Sequence, residues 1–463
     1  MKIYNKYISA IMLVVAVATF SACNKKLDVT PGKDIVPDQI KTADDVRGVL
    51  MGAYTNLQNS SSLGERLILI PDLLAGNGEL SFRGTFFNYG QYDSKTQDAT
   101  SDIAEEIWRR SYFTINNINL AINKINLVPE DERPAILAEA KFIRGMIYFY
   151  LVNLYGKPYS AGNITTNLAV PLVTDAITDI ADLPKGYQGR ATVDAVYKQV
   201  VADLQDAATN LPEDNGSEGR ANKYAAYAFL SRVYLAEAKY TEAVAMADSI
   251  IQSGAYTLNN AYDKAFNSVI NTSEDIFAIQ QTAQSNAGTS NNGLQTFYAG
   301  RGFSGRGDIT VDLTVVPGFE SGDARRTFTY LDRGINVGSG TYTTKWQRQY
   351  KVIPVVRYAE ILLTRAEANL RAGTAVGAPP LEDVNEIRAR SNASQLAAVT
   401  ADQVADERVR ELLFEGDKLW TFKRLKRNIG NKSYDDNKLV LPVPQREIDA
   451  SQGKLTGQQN PGY

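Results

Sequence analysis

The most regular alternation of apolar and polar positions lies between about 220 and 254, in RANKYAAYAFLSRVYLAEAKYTEAVAMADSIIQSG. Ala226, Leu230, Val233 and Ala236 recur at helical spacing in its first half, and Ala243, Met246, Ala247 and Ile250 in its second. The step Lys239-Tyr240-Thr241-Glu242 predicts a tight turn into a new helix, with Thr241 as its cap. Small residues among Tyr and Leu let two antiparallel helices approach closely while the larger side chains fill the neighbouring groove.

The positions of Tyr227, Leu230, Ser231, Tyr234, Ala243, Ala247 and Ile250 fit the packing sites of a tetratricopeptide repeat. One hairpin of this kind cannot bury both of its faces, so it requires helical neighbours. The pattern supplies them at about 42–59, 103–126, 133–155, 192–211, 355–372, 381–390 and 401–425. Thr42 followed by Asp44 and Asp45 is a helix-start signal. Two stretches break the period, about 77–100 and 257–352, where aromatics sit among Gly, Asn, Ser and Thr. Only short strand-like runs stand out there, at Ile276–Gln280 and Ile309–Val316. The expected fold is mainly α: tetratricopeptide-like helix pairs form a scaffold over about 42–76, 101–256 and 353–428, carrying a loop-rich, strand-poor ligand-binding region.

The N-terminus changes the setting. Lys2 and Lys6 precede an apolar run from Ile8 to Phe20 and then Ser21-Ala22-Cys23. The run is short of the ~20 apolar residues that span a bilayer, so it reads as a secretory signal over 1–22. Cys23, the only cysteine among 463 residues, stands where a lipoprotein signal peptidase cuts, with Phe20 in place of the usual aliphatic residue. Residues 23–41 are then a lipidated tether and 42–463 a single domain.

Composition removes function classes. With no histidine and no cysteine beyond the anchor, Ser-His-Asp and Cys-His catalysis and the common transition-metal sites are excluded, and no cofactor or metal is expected. A carboxylate pair, as in glycosidases, is the remaining catalytic option. Among 52 acidic residues, pairs such as Asp44-Asp45, Glu105-Glu106 and Asp435-Asp436 are ordinary solvated surface. A net charge of −3 argues against nucleic acid. The basic run Lys423, Arg424, Lys426 and Arg427 is short, and reads as helix-end charge and local ion pairing.

An ordered set of motifs resembles the SusD/RagB family of outer-membrane nutrient-binding lipoproteins over essentially the whole mature chain. The set runs from Cys23 and Leu27-Asp28-Val29-Thr30-Pro31 through Trp108, Tyr112, Ile115, Asn119 and Glu139–Arg144 to Tyr148–Leu151 and Tyr155-Gly156. It continues with Pro354–Leu363, Ala366–Ala368, Asn385–Arg390, Arg410–Leu412, Phe414–Gly416 and Leu419-Trp420, and ends with Leu441–Pro444 and Gln459–Tyr463. Thr421 and Asp417 depart from the residues usual at their positions. The resemblance implies a non-enzymatic, lipid-anchored receptor on the cell-surface side of the outer membrane. Its helix pairs would dock on a SusC-like TonB-dependent transporter, to which it hands oligosaccharides or, in some members, peptides.

Sugar rings present flat C–H faces to aromatic rings, and their hydroxyls need planar polar groups at the rim. Two stretches have that mixture, 82–92 and 294–303, and both coincide with regions that carry ligand loops in the family. The candidate ligand contacts are Arg83, Phe86, Phe87, Asn88, Tyr89 and Tyr92 in the first, Phe297, Tyr298, Arg301 and Phe303 in the second, and Trp346 as a third platform. Trp108 and Trp420 read as core. Gly300-Arg301-Gly302-Phe303-Ser304-Gly305 fits GxGxxG but precedes no helix, and Arg306-Gly307-Asp308 is a tripeptide that chance produces often. A glycosidase and a protein-only helical-repeat adaptor are the competing readings.

Overall fold

Helix formation follows the apolar period closely. A computed structural model describes residues 37–463; the expected signal segment, Cys23 and most of the tether lie outside the described residues. The first long helix, α1 (Ala43–Gln58), starts at a capping box in which Thr42 and Asp45 satisfy each other's backbone N–H groups. It is followed by α2 (Arg66–Ala75), every residue of which is buried. The scaffold proper runs α4 (Asp102–Asn123), α5 (Arg133–Tyr155), α6 (Val193–Asn210), α7 (Lys223–Ala236) and α8 (Tyr240–Gln252), after the short α3 (Phe87–Ser94). Each of α4 to α8 packs on the next, as stacked repeats require.

The α7–α8 hairpin turns two residues earlier than expected. Ala238 takes a left-handed conformation (φ 57°), α8 begins at Tyr240 with no side-chain cap, and Thr241 is already helical. The stack continues through α9 (Tyr358–Ala372), which packs on α8, and then α10 (Pro380–Arg390) and α11 (Ala401–Glu411), both against α9. The continuous helix expected over 401–425 is two helices: Phe414 (φ 64°) and Gly416 (φ 79°) break it before α12 (Asp417–Arg424). α12 then packs against α2.

Among the described residues, six short strands make three antiparallel pairs. β1 (Leu80–Phe82) pairs with β3 (Ile309–Val311), β2 (Asp275–Ile279) with β6 (Ile353–Arg357), and β4 (Thr329–Arg333) with β5 (Ser339–Thr343). Residues 355–357, expected as the first turn of α9, belong to β6, where β-branched side chains favour the extended chain.

Buried ion pairs fasten these strands to the scaffold. Arg357, at the end of β6, binds Glu274 (2.8 Å), Glu411 (3.1 Å) and Glu415 (2.8 Å). Glu411 also receives Arg325 (3.3 Å) and Arg390 (2.6 Å), and this ring of cations holds its carboxyl far below the usual range against the opposing effect of burial. Lys345 binds Glu415 at 2.5 Å. A second knot joins Arg408 to Glu360 and Asp417, and Arg232 to Glu360. Within the basic run at 423–427, Arg424 pairs with Glu367 and Arg427 with Asp406, whereas Lys423 is buried and donates to the Leu439 carbonyl at 2.6 Å.

Candidate functional site

A fully buried helix must find internal partners for its polar groups. Around α2 those groups are Glu65, Arg66 and Asp72; Arg66 pairs with Glu106 of α4, and the two carboxyl groups find partners on the irregular segments and at the α11–α12 break. The Glu65 carboxylate accepts the Tyr89 hydroxyl, from the first segment, and the Gly293 N–H (2.6 Å), which opens the second. Burial raises its pKa to about 7, with Arg66 opposing the shift. Asp72 accepts the Tyr298 hydroxyl (2.9 Å) and the Gly416 N–H (2.9 Å), and burial raises it to about 8. Two carboxyl groups next to and within one helix therefore tie 82–92, 293–303 and the α11–α12 break together.

The rings follow these anchors. Tyr89 packs on Phe297 (ring centroids 4.6 Å) and on Phe82 (5.9 Å), while Phe86 meets Phe297 at 6.0 Å. The β1–β3 pairing completes the junction, so stretches some two hundred positions apart share one wall. Gly84 passes so close to the Asp308 carboxyl that any Cβ there would collide with it.

Five of the expected ligand rings are inside this wall and are not presented to solvent. Tyr89 is 5% exposed and Tyr92, Phe297 and Tyr298 are 0%. Their hydroxyls explain the placement: Tyr89 has Glu65, Tyr298 has Asp72, and Tyr92 meets Ser101 at 2.7 Å. Trp346 is likewise buried, its Nε1–H donating to the Phe414 carbonyl at 2.7 Å, and forms no platform. Asn88 is half-buried and gives its amide to Asp102 (2.7 Å).

What remains outside is a compact set. Phe87 is 76% exposed, Arg83 and Arg301 are exposed, and Phe86 and Phe303 are half-buried. Guanidinium groups cover two of the rings: Arg306 lies 4.5 Å from the Phe86 centroid and Arg348 5.0 Å from Phe303. Tyr330 meets Phe303 edge-on at 5.0 Å, and its hydroxyl oxygen accepts the Gly300 N–H (2.9 Å). Asp332 accepts the Gly302 N–H at 2.7 Å. Beside Arg348 a narrow cleft opens among Asn267, Gln295, Gln349 and Tyr350.

Sequence reasoning missed Tyr330, Asp332, Arg306 and Arg348. The alternation Thr329-Tyr330-Leu331-Asp332-Arg333, bounded by Gly334 and Gly338, was the available signal for a hairpin.

The scaffold holds another cleft, lined by Tyr150, Tyr159, Tyr197 and Trp420. Its guanidinium groups are already bound: Arg232 and Arg408 to Glu360, Arg424 to Glu367. It offers rings but little unoccupied polar chemistry, whereas the loop face offers both.

Comparison with known proteins agrees with this architecture. Residues 27–235 match a SusD-like family described as starch-binding and associating with the outer membrane, and residues 316–438 match the SusD family. The chain is 23% identical to SusD-like protein P2 of Formosa agariphila, over 98% of this chain and 99% of that one. It is also 23% identical to the starch-binding protein SusD of Bacteroides thetaiotaomicron, over 100% and 99% of the two chains. Among solved structures, a SusD superfamily protein from Bacteroides vulgatus superposes with a TM-score of 0.80 at 23% identity, covering 91% of this chain and 99% of that one. A putative sugar binding protein from the same species gives 0.78 at 25% identity, covering 92% and 99%. Motif order, stacked helix pairs and matched length converge, and the chain belongs to the SusD/RagB family.

Proposed function

We propose that this protein is an outer-membrane lipoprotein, anchored through Cys23 and facing the cell surface, whose 42–463 domain binds a nutrient oligosaccharide. It passes the bound sugar unaltered to a SusC-like TonB-dependent transporter. The observation that carries the reading is the face built from two distant segments, where Phe87, Phe86 and Phe303 stand beside guanidinium groups above a buried carboxylate anchor. Exposed rings with planar polar neighbours suit the C–H faces and hydroxyls of a saccharide. The family's description and the names of its starch-binding and sugar-binding relatives support the ligand class.

The non-enzymatic role rests on chemistry. With no histidine in the chain, hydrolysis would need paired carboxylates, and the acids of this face are otherwise engaged: Asp308 with Arg306, Asp332 with backbone N–H groups. Calorimetric titration with a panel of oligosaccharides tests the proposal, together with a reducing-sugar assay. Saccharide binding without release of reducing ends is expected. Absence of binding across the panel, or turnover, contradicts it.

A further inference from the structure

Arginine use divides sharply across the molecule. Among the described residues, six arginine side chains make neither an ion pair nor a hydrogen bond: Arg83, Arg109, Arg301, Arg326, Arg333 and Arg348. Four of the six converge on the loop face. The Arg83 N–H donates to the Asp308 carbonyl (2.7 Å), placing it beside the Arg306–Asp308 strip. The Ile335 N–H donates to the Arg306 carbonyl (2.7 Å), so the turn that follows Arg333 runs along the same strip. Arg301 and Arg333 flank the contact between the Gly302 N–H and Asp332. Arg348 lies over Phe303.

The acids of the strip offset at most one of these four charges, because only Asp332 keeps a carboxylate that no cation matches. Asp308 is held by Arg306 at 2.8 Å, and Asp332 accepts the N–H groups of Gly302 and Arg333, both at 2.7 Å. A face with unbalanced positive charge on a chain of net charge −3, surrounding the exposed rings, is fitted to a negative ligand. Guanidinium groups bind carboxylate and sulfate through paired N–H donors, and a guanidinium over a ring keeps its donating edge free.

Building on the saccharide-binding reading above, we propose that the ligand of this face is an anionic oligosaccharide, whose carboxylate or sulfate groups are held by Arg83, Arg301, Arg333 and Arg348 while its ring faces pack on Phe87 and Phe303. Galacturonate oligomers and sulfated galactan oligomers present the two sources of charge on comparable rings. Malto-oligosaccharides of matched length are the neutral reference, and poly-aspartate represents an acidic peptide.

Each probe is titrated calorimetrically into the intact protein at low and at high salt, and into a variant carrying Arg83→Gln, Arg301→Gln, Arg333→Gln and Arg348→Gln. None of the four side chains makes an ion pair or a hydrogen bond, and only Arg348 lies over a ring, so the variant should melt close to the parent. The proposal expects one charged oligosaccharide series to bind at least about tenfold more tightly than the neutral one, to weaken with salt, and to lose that advantage in the variant. Whichever series binds identifies the anion. Malto-oligosaccharides binding as tightly as either charged series, with no loss in the variant, would overturn the anionic assignment and leave the saccharide site standing. Poly-aspartate alone binding would overturn both.

Discussion

The helical scaffold and the loop face use the same residue types to opposite ends. In the scaffold, Arg357 and Arg408 are 1% and 3% exposed, and each is surrounded by carboxylates. On the loop face, Arg83, Arg301 and Arg333 are exposed and unpaired among the described residues. Aromatics divide likewise: Tyr89 and Phe297 are locked inside, whereas Phe87 stands out from the surface a few residues away. The lesson is that the rigid part of the molecule satisfies its polar groups internally, whereas the loop face leaves several of its own unsatisfied.

Breaking the scaffold side has the largest expected effect. Arg357→Met leaves Glu274, Glu411 and Glu415 without their shared cation and should cost about 3–5 kcal/mol in denaturant unfolding, because uncompensated buried charge remains. The same change at Arg301 should be neutral within about 0.5 kcal/mol.

The next effect is on pH dependence. Burial raises Glu65 from 4.5 to about 7 and Asp72 from 3.8 to about 8 in the folded protein. Their folded pKa values exceed the unfolded ones, so the stability they contribute is fully present below the unfolded values and is lost as pH rises through about 7 and then 8. Unfolding midpoints attributable to these groups should fall between about pH 5 and pH 8.5. Glu65→Gln should flatten the lower part of that slope, and Asp72→Asn the upper part.

Smaller still is Tyr298→Phe, which removes one donor from Asp72 and should cost about 1–2 kcal/mol by thermal unfolding. The smallest stability change is expected of Phe87→Ala, within about 0.5 kcal/mol, since its ring is 76% exposed. If Phe87→Ala destabilised the fold as much as Tyr298→Phe, the division between anchored and presented rings would fail.

The same division explains what could be read from the sequence. The α7–α8 hairpin, the Thr42 cap and the ends of α5 are local features, set by period and capping within a few residues, and they were legible. The two aromatic stretches were also legible as irregular segments outside the helical period, though nothing in the sequence said that they would meet. Which of their rings would face outward was not legible, because that choice is made by distant partners. Tyr298 is drawn inward by Asp72, 226 positions away, and Trp346 by the Phe414 carbonyl, 68 positions away. Arg348 drew no notice beside Trp346, because its role depends on Phe303 lying beneath it.

The central claim is that the loop face, and not the scaffold cleft, captures the nutrient. Its most direct test is calorimetric titration of the best-binding oligosaccharide into the protein carrying both Phe87→Ala and Phe303→Ala, beside a Trp420→Ala variant of the scaffold cleft. The account predicts loss of the binding heat in the double variant at an unchanged melting temperature, and full binding in Trp420→Ala. Full-strength binding by the double variant, or its loss in Trp420→Ala alone, would contradict it.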